Sequence, residues 1–341
     1  MSKIRAVACG VGHTGSKIAK EMFDKGVEIV GAVDVGTDKV GRDIGEVANL
    51  GSTLGVVVER DLRHVLASRP VDIAVIATQN YMAELQEQLR TCAEEGANAI
   101  TIGAEAIYPW LTSPAVTADL DLLAKEHGIT LTGAGYQDTY LVNMVAMLLG
   151  TAHRVDSVVG RSTYNLDEYG ALLAEDMLVG RSLDDFNAWL ATAEQPPSMS
   201  ANDLHAIAAA SGLTVSRYTR TTKPDIGAED RECKALGITV PTGKLIGTTD
   251  VDTIETAEGP TLSMEITGRI YLPDETDINE WTVKGDPDLW LENPRIDTPR
   301  TTVVQCVNRI PDVINASPGF VTVVELPPLR YRHQPLDRYL V

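Results

Sequence analysis

The stretch from Ile4 to Asp34 constrains the fold of this chain more than any other. Ile4-Arg5-Ala6-Val7-Ala8-Cys9 has the length and apolar content of a strand buried on both faces. Gly10-Val11-Gly12-His13-Thr14-Gly15 follows at once and fits G-x-G-x-x-G. A helix is expected next, with Ile18, Ala19, Met22 and Phe23 on one face and Gly26 placed to stop it. A second apolar run, Val27 to Val33, ends on Asp34, nineteen residues after Gly15.

Each residue type in this pattern answers a physical need. Gly10 permits a tight turn, Gly12 lets backbone approach a pyrophosphate, and Gly15 lets strand and helix pack closely. The helix start, at His13 and Thr14, offers unpaired N–H groups and a partial positive charge to phosphate oxygens. Asp34 can accept hydrogen bonds from the hydroxyls of an adenosine ribose. Glycine-rich turns are common, but here strand, helix, second strand and acid all fall where a dinucleotide site requires them.

The same alternation continues. Gly55 to Val58 reads as a short third strand, Leu62 to Ala67 as a helix, and Val71 to Ala77 as a strand ending in Thr78-Gln79-Asn80. A helix from about Tyr81 to Glu95 stops at Gly96, and Ala99 to Ile102 is a fifth strand followed by Gly103-Ala104-Glu105. A helix around Val116 to His127 stops at Gly128, and Ile129 to Thr132 is a sixth strand. Strands and helices alternating at this spacing make an α/β doubly wound parallel sheet, a Rossmann domain over residues 1–133.

Beyond it the pattern changes. Leu141 to Leu149 is a very apolar helix suited to interdomain or subunit packing. Val155 to Tyr164 is a strand, Leu172–Leu178, Phe186–Ala193 and Ala201–Ala210 are helical, and Gln195-Pro196-Pro197-Ser198 is a loop. Leu213–Thr222, Lys244–Thr256 and Thr261–Leu272 are rich in Thr, Val and Ile and read as antiparallel strands, with a turn at Glu258-Gly259-Pro260. Trp281 to Leu291 adds one more. Residues 134–300 are therefore expected to form an α+β domain of largely antiparallel strands for substrate binding and dimerisation. Residues 301–341, a helix from Thr301 to Ile314 ended by Pro318-Gly319 and a tail, are expected to return to the first domain.

Composition excludes several partners. The chain has 341 residues, enough for two domains, and a formal net charge of −19. With a pI near 4.7 it offers no basic patch for nucleic acid and is repelled by anionic membranes. No apolar run approaches the roughly 18 residues of a membrane span. The start passes directly into a strand without a signal sequence, and Cys9, Cys92, Cys233 and Cys306 form no C-x-x-C pair. A cytoplasmic protein with reduced thiols is expected. The six histidines have no metal-ligand spacing, so no metal is expected.

In a doubly wound sheet the ligand lies beyond the carboxyl ends of the strands at the switch point. Adenosine then lies over strand 2, with Asp34, and the nicotinamide over the ends of strands 4 and 5, at Thr78-Gln79-Asn80 and Gly103-Ala104-Glu105. Topology alone thus carries Glu105 to the hydride-transfer end. A carboxylate there suits amines better than alcohols: it can take a proton from an ammonium and stabilise an iminium by charge. Glu105 can equally serve as a cap or as an arginine's partner, and position leaves both readings open. Tyr164 and Asn165 end the first strand of the second domain, with Tyr169 one turn on, and can line a pocket or simply pack the strand end. Asp34 repels a 2′-phosphate and favours NAD, while Lys39 and Arg42 are placed to let NADP be tolerated.

The glycine loop, Glu105, Tyr136-Gln137-Asp138 and Asn308-Arg309-Ile310-Pro311 with Ser317-Pro318-Gly319-Phe320 together carry a resemblance. The chain resembles the NAD(P)-dependent amine dehydrogenases related to 2,4-diaminopentanoate dehydrogenase, which share the dihydrodipicolinate reductase fold. The resemblance implies a homodimer that reductively aminates a ketone or aldehyde with ammonia and runs the reverse deamination of an amine lacking an α-carboxylate. It implies Glu105 as the catalytic acid/base and Tyr136, Gln137, Leu141, Tyr164, Asn165 and Tyr169 as substrate contacts. Asn308 is implied to stand near the nicotinamide. Leu141 stands where some amine dehydrogenases have an aromatic residue. The His-His…Lys pair of dihydrodipicolinate reductases has no counterpart, and Glu105-Ala106-Ile107 replaces the Glu-Lys-Pro of sugar oxidoreductases. The competing readings are a carbonyl or imine reductase that uses no free ammonia, and a nicotinamide-sensing protein without turnover.

Overall fold

The computed structural model describes residues 3–194 and 196–341; Gln195, in the loop expected at 195–198, lies outside the described residues. The chain divides into two compact units, Met1–Asn143 with Pro299–Val341, and Met144–Thr298.

In the first unit, β1 (Arg5–Cys9), β2 (Glu28–Val33), β3 (Val58–Glu59), β4 (Ile73–Ile76), β5 (Asn98–Thr101) and β6 (Thr130–Gly133) alternate with α1 (His13–Asp24), α2 (Ile44–Val47), α3 (Leu62–Ala67), α4 (Met82–Glu94) and α5 (Pro114–His127). The strands pair in parallel in the lateral order β6-β5-β4-β1-β2-β3. The order reverses between β1 and β4, which opens a crevice at their carboxyl ends. The two-residue period of β1 sorts the core. Ala6 and Ala8 face Ile18 and Met22 of α1 together with Val303, Val307 and Ile310. Val7 and Cys9 face Val65 of α3, Leu85 and Leu89 of α4, and Leu120 of α5. Burial of the Cys9 thiol pushes its pKa up to about 12, so it is an inert core group. Cys92, Cys233 and Cys306 are also buried and free.

The second unit contains α6 (Met144–Leu149), β7 (Arg154–Asn165), α7 (Ala171–Asp176), α8 (Leu183–Leu190), α9 (Met199–Ala210), β8 (Val215–Ile226), β9 (Arg231–Cys233), β10 (Ile238–Val240), β11 (Leu245–Thr256), β12 (Thr261–Arg269), β13 (Asp277–Asp286) and β14 (Leu289–Ile296). Six strands form a sheet in the order β14-β13-β7-β12-β11-β8, antiparallel except for the β7–β12 pair. One face buries Val158, Leu262, Met264, Trp281 and Val283. The other presents Arg161 and Lys223, both bridged to Glu265 at 3.4 and 3.5 Å. The last helix, α10 (Thr298–Asn315), leads to a two-residue strand, β15 (Gly319–Phe320), beside β6.

Several local expectations change. Phe23 is 37% exposed, because the buried stripe of α1 runs through Gly15, Ile18, Ala19 and Met22 and leaves position 23 at its edge. The single strand expected over Trp281–Leu291 is the hairpin of β13 and β14, turning at Asp286-Pro287. Pro318-Gly319 does not merely end a helix, since β15 extends the parallel sheet. The expected helix Leu141–Leu149 is broken: a π-helical turn occupies Gln137–Asn143 and α6 starts at Met144. The unit boundary falls there rather than at residue 133. Asp138 ties the turn to α10, its carboxylate accepting from Nε and Nη2 of Arg309 at 2.7 and 2.8 Å.

Candidate functional site

The turn after β1 is built as its glycines require. Gly10 has φ +82°, and a Cβ there would lie 2.6 Å from the Ala77 carbonyl oxygen. A Cβ on Gly15 would lie 1.7 Å from the Gly10 carbonyl oxygen, so only glycine lets α1 start this close to the strand. Gly12 differs: nothing lies within 4 Å of where its Cβ would stand. Gly12 is the N-cap of α1, and no side chain caps the helix there. The first N–H groups of α1, from His13 onward, are thus left for a ligand. His13 is exposed, with Nε2 2.9 Å from Lys17 Nζ, and Thr14 follows it on the first turn.

Asp34 stands at the carboxyl end of β2. Its Oδ2 accepts from the Val11 N–H at 2.8 Å and its Oδ1 from the Gly36 N–H at 2.7 Å. Burial raises the pKa of this carboxyl, but the Gly36 and Val11 N–H groups and Lys39, whose Nζ is 3.2 Å from Oδ2, outweigh it and hold the group below the ordinary carboxylate range. Beside Asp34 lies a cavity of about 810 Å³, lined among others by Gly10, Gly12, Asp34, Arg60, Thr78 and Gln79. The first unit therefore brings five of the expected cofactor residues onto one cavity.

Two features of this cavity escaped the sequence. Arg42 does not line it; its Nη1 donates to the Asp38 carbonyl at 3.3 Å. Arg60 does, with Nη1 donating to the Val35 carbonyl at 3.1 Å. The signal was available, since β3 pairs with β2 and ends on Glu59 beside Asp34. Gln88 of α4 also lines the cavity and its Oε1 accepts from the Thr78 hydroxyl at 2.7 Å.

Glu105 is placed in the short 3₁₀ turn Ala104–Ile107 after β5 and is 5% exposed. Its Oε2 accepts from the N–H of Met82, the first residue of α4, at 2.6 Å. Its Oε1 accepts from the hydroxyls of Thr112 and Ser113, each at 2.6 Å. This is the capping arrangement: a carboxylate on the positive end of a helix, with both oxygens engaged. Glu105 is absent from the lining of the 810 Å³ cavity, while Ala104 beside it is less buried.

The segment at 135–143 is held by α10. Gln305 Oε1 accepts from the Gly135 N–H at 2.6 Å, and Thr302 Oγ1 from the Tyr136 N–H at 3.2 Å. Tyr136 and Tyr140 stack with centroids 5.1 Å apart. Gln137 opens the π turn and Leu141, 2% exposed, lies within it. On α10, Asn308 is 6% exposed and its Oδ1 meets no donor among the described residues. An orphaned acceptor of this kind calls for a ligand or ordered water.

In the second unit, Tyr164 and Tyr169 meet edge to face at 5.2 Å. Asn165 caps the following 3₁₀ turn, its Oδ1 accepting from the Asp167 N–H at 3.2 Å. The two tyrosines therefore pair at the end of β7, and Asn165 is turned to the backbone that follows.

The residues present fit a dinucleotide: an open backbone at Gly12, uncapped helix N–H groups, an acid at the end of β2 and a cavity between them. Among the described residues no group of three His, Cys, Asp or Glu side chains can hold a metal ion, and no helix is long and apolar enough to cross a membrane. Residues 140–334 match the family described as the 2,4-diaminopentanoate dehydrogenase C-terminal domain. A 2,4-diaminopentanoate dehydrogenase from Acetoanaerobium sticklandii is 25% identical over 338 residues, covering 96% of this chain and 94% of that protein. The structure of an amine dehydrogenase from Mycobacterium smegmatis is 51% identical, covers 98% of both chains and superposes with a TM-score of 0.90. A probable dehydrogenase from Thermotoga maritima, at 12% identity over 94% of this chain and 92% of that one, shares the fold with a TM-score of 0.63. The chain belongs to the 2,4-diaminopentanoate dehydrogenase family, as a nicotinamide-dependent oxidoreductase of the amine dehydrogenase type.

Proposed function

We propose that this enzyme interconverts a ketone or aldehyde plus ammonia with the corresponding primary amine, on substrates without an α-carboxylate. In the synthetic direction the carbonyl compound, ammonia, NADH and a proton give the amine, NAD+ and water. The single observation that carries the reading is the 51% identity to an amine dehydrogenase along nearly the whole chain. The bound nicotinamide supplies or accepts the hydride. Gly12 and the first N–H groups of α1 hold the pyrophosphate, and Asp34 takes the ribose hydroxyls. Asn308 Oδ1, buried without a donor, accepts from the carboxamide of the nicotinamide. NAD is preferred because Asp34 meets the ribose directly. NADP is accepted through Lys39, paired to that acid, and Arg60 in the cavity wall.

Two readings of Glu105 compete. As the acid/base, it exchanges a proton with the amine after releasing the Thr112 or Ser113 hydroxyl, both rotatable donors. The specific observation favouring the other reading is its three hydrogen bonds, which make it the cap of α4. Tyr136, Gln137, Leu141, Tyr164, Asn165 and Tyr169 contact the substrate. The protein works in the cytoplasm as a homodimer through the sheet face bearing Val159, Arg161 and Thr163; sedimentation at the monomer mass would refute the dimer. The function itself is tested by supplying a panel of amines with NAD+ and following NADH absorbance. Reduction of NAD+ that depends on the amine supports it, and silence across the panel contradicts it.

A further inference from the structure

The π-helical turn Gln137–Asn143 is an uncommon geometry at the entry to an apolar helix, and π turns concentrate at functional sites. Something must hold it. Asp138, fully buried, is the second residue of the turn, and its Oδ1 accepts from Asn143 Nδ2, five residues on, at 2.6 Å. Side chains five apart diverge around an α-helix of 3.6 residues per turn and come together when the ring closes i to i+5. The same carboxylate accepts two bonds from the fully buried guanidinium of Arg309 and one from Gln305 Nε2. Gln305 in turn accepts from the Gly135 N–H, where the backbone enters with φ +122°. Thr302 accepts from the Tyr136 N–H. One face of α10 therefore grips the entry to the turn, its second residue and, through Asp138, its last.

We infer that Asp138 is a positioning residue: held by Gln305 and Arg309, it fixes the π turn and so sets where the stacked pair Tyr136 and Tyr140 stands. This rests on the proposed amine dehydrogenation, in which Tyr136, Gln137 and Leu141 meet the substrate. Asp138 itself touches none of the reacting atoms, because Gln305, Arg309 and Asn143 occupy both of its oxygens. Relaxation of the turn to an α-helix would rotate these side chains away from their present directions, while the glycine loop and Asp34 keep their own bonds. The network continues outward from Arg309 to Asp312, which Arg332 of the C-terminal tail meets at 2.5 Å. The clamp is thus anchored at both ends of α10.

The test uses the full-length enzyme. Asn143→Ser removes the bond across the turn, and with it the bond to the Val323 carbonyl, and leaves the Asp138–Arg309 pair intact; Gln305→Met removes the bonds to Gly135 and Asp138 at nearly constant volume. Each is expected to raise KM for the amine about tenfold while the Kd of NADH, read by fluorescence titration, stays within about twofold, at temperatures well below Tm. A lowered Tm with KM for the amine unchanged would overturn the inference and leave the network a stabilising one. If Gln305→Met does not fold, Asn143→Ser and Thr302→Val, which loses the hydroxyl that accepts from the Tyr136 N–H, decide the matter. If the wild type turns over no amine, the proposed function fails by itself. The clamp is then read from the near-ultraviolet circular dichroism of the stacked tyrosines, where a spectrum unchanged in Asn143→Ser overturns it.

Discussion

Lys39 and Asp34 form an ion pair, Nζ to Oδ2 at 3.2 Å, and Asp34 lines the cavity beyond β2. Asp34 is thus not a bare negative charge facing the ribose. In the proposed binding mode a 2′-phosphate at Asp34 would meet Lys39 on the acid and Arg60, which follows the neighbouring strand β3 and donates to the Val35 carbonyl.

That pairing predicts a divided effect on cofactor choice. Lys39→Met keeps the apolar stem and loses the charge, and so does Arg60→Met. Each is expected to weaken NADP binding about tenfold, equivalent to ~1.4 kcal/mol, with NAD nearly unaffected. Asp34→Ala should move preference toward NADP. Titration of all three variants with both reduced cofactors checks this, and an unchanged NADP-to-NAD ratio throughout contradicts it.

Two glycines of the loop, Gly15 and Gly12, should separate cleanly. Gly15→Ala places a methyl against the Gly10 carbonyl, 1.7 Å away, and is expected to cost about 1–3 kcal/mol of stability or more. Gly12→Ala enters open space, so its Tm should shift by no more than about 2 °C. Its methyl stands where a pyrophosphate must approach, and NADH affinity should fall at least about tenfold. Thermal melts with and without NADH distinguish the two; loss of stability in Gly12→Ala would argue against the open cradle.

Asp34 also gives a pH signature. Its folded-state pKa is lowered by its N–H donors and Lys39 against the opposing effect of burial. A lowered carboxyl contributes stability that is present above its ordinary pKa of about 4 and lost as pH falls through the folded value. Asp34→Asn should therefore melt below the wild type at neutral pH, with the gap closing on acidification below about pH 4. A gap of equal size at pH 3 and pH 7 would contradict this.

Glu105→Gln discriminates the two roles of that residue. Glutamine can turn its one acceptor oxygen to the Met82 N–H while its amide donates to the Thr112 and Ser113 hydroxyls, which can rotate to accept, but it carries no exchangeable carboxyl proton. If Glu105 is the acid/base, kcat falls by at least about a hundredfold, within the range known for such groups, while Tm and NADH affinity hold. If it is only the cap of α4, kcat per folded enzyme is retained. We expect the first outcome. Steady-state rates and melting curves on the same preparation decide it.

The sequence was legible where local chemistry and topology agree. The run from Ile4 to Asp34 named the turn, the helix and the acid, because a parallel βαβ unit encodes them in one short stretch. Leu62–Ala67 was recovered to the residue because the helix lies on one face of a single core. Legibility stopped where distant segments decide the geometry. The π turn depends on Asp138 meeting Arg309, 171 residues away, and no local period announces it. The hairpin within Trp281–Leu291 was legible in Gly285-Asp286-Pro287-Asp288, a turn sequence that a reading of one continuous strand passes over. Glu105 shows the limit most plainly: topology carried it to the end of β5, but its direction is set by Met82 and the hydroxyls of Thr112 and Ser113.

What becomes of the carbonyl compound decides the activity. The direct measurement supplies the purified enzyme with NADH, a simple ketone and ¹⁵N-ammonium, and follows NADH consumption and product mass together. An amine carrying the label, formed one for one with NADH consumed, is expected, with no consumption without ammonium. An alcohol as the product, or NADH consumed at the same rate without ammonium, would contradict it.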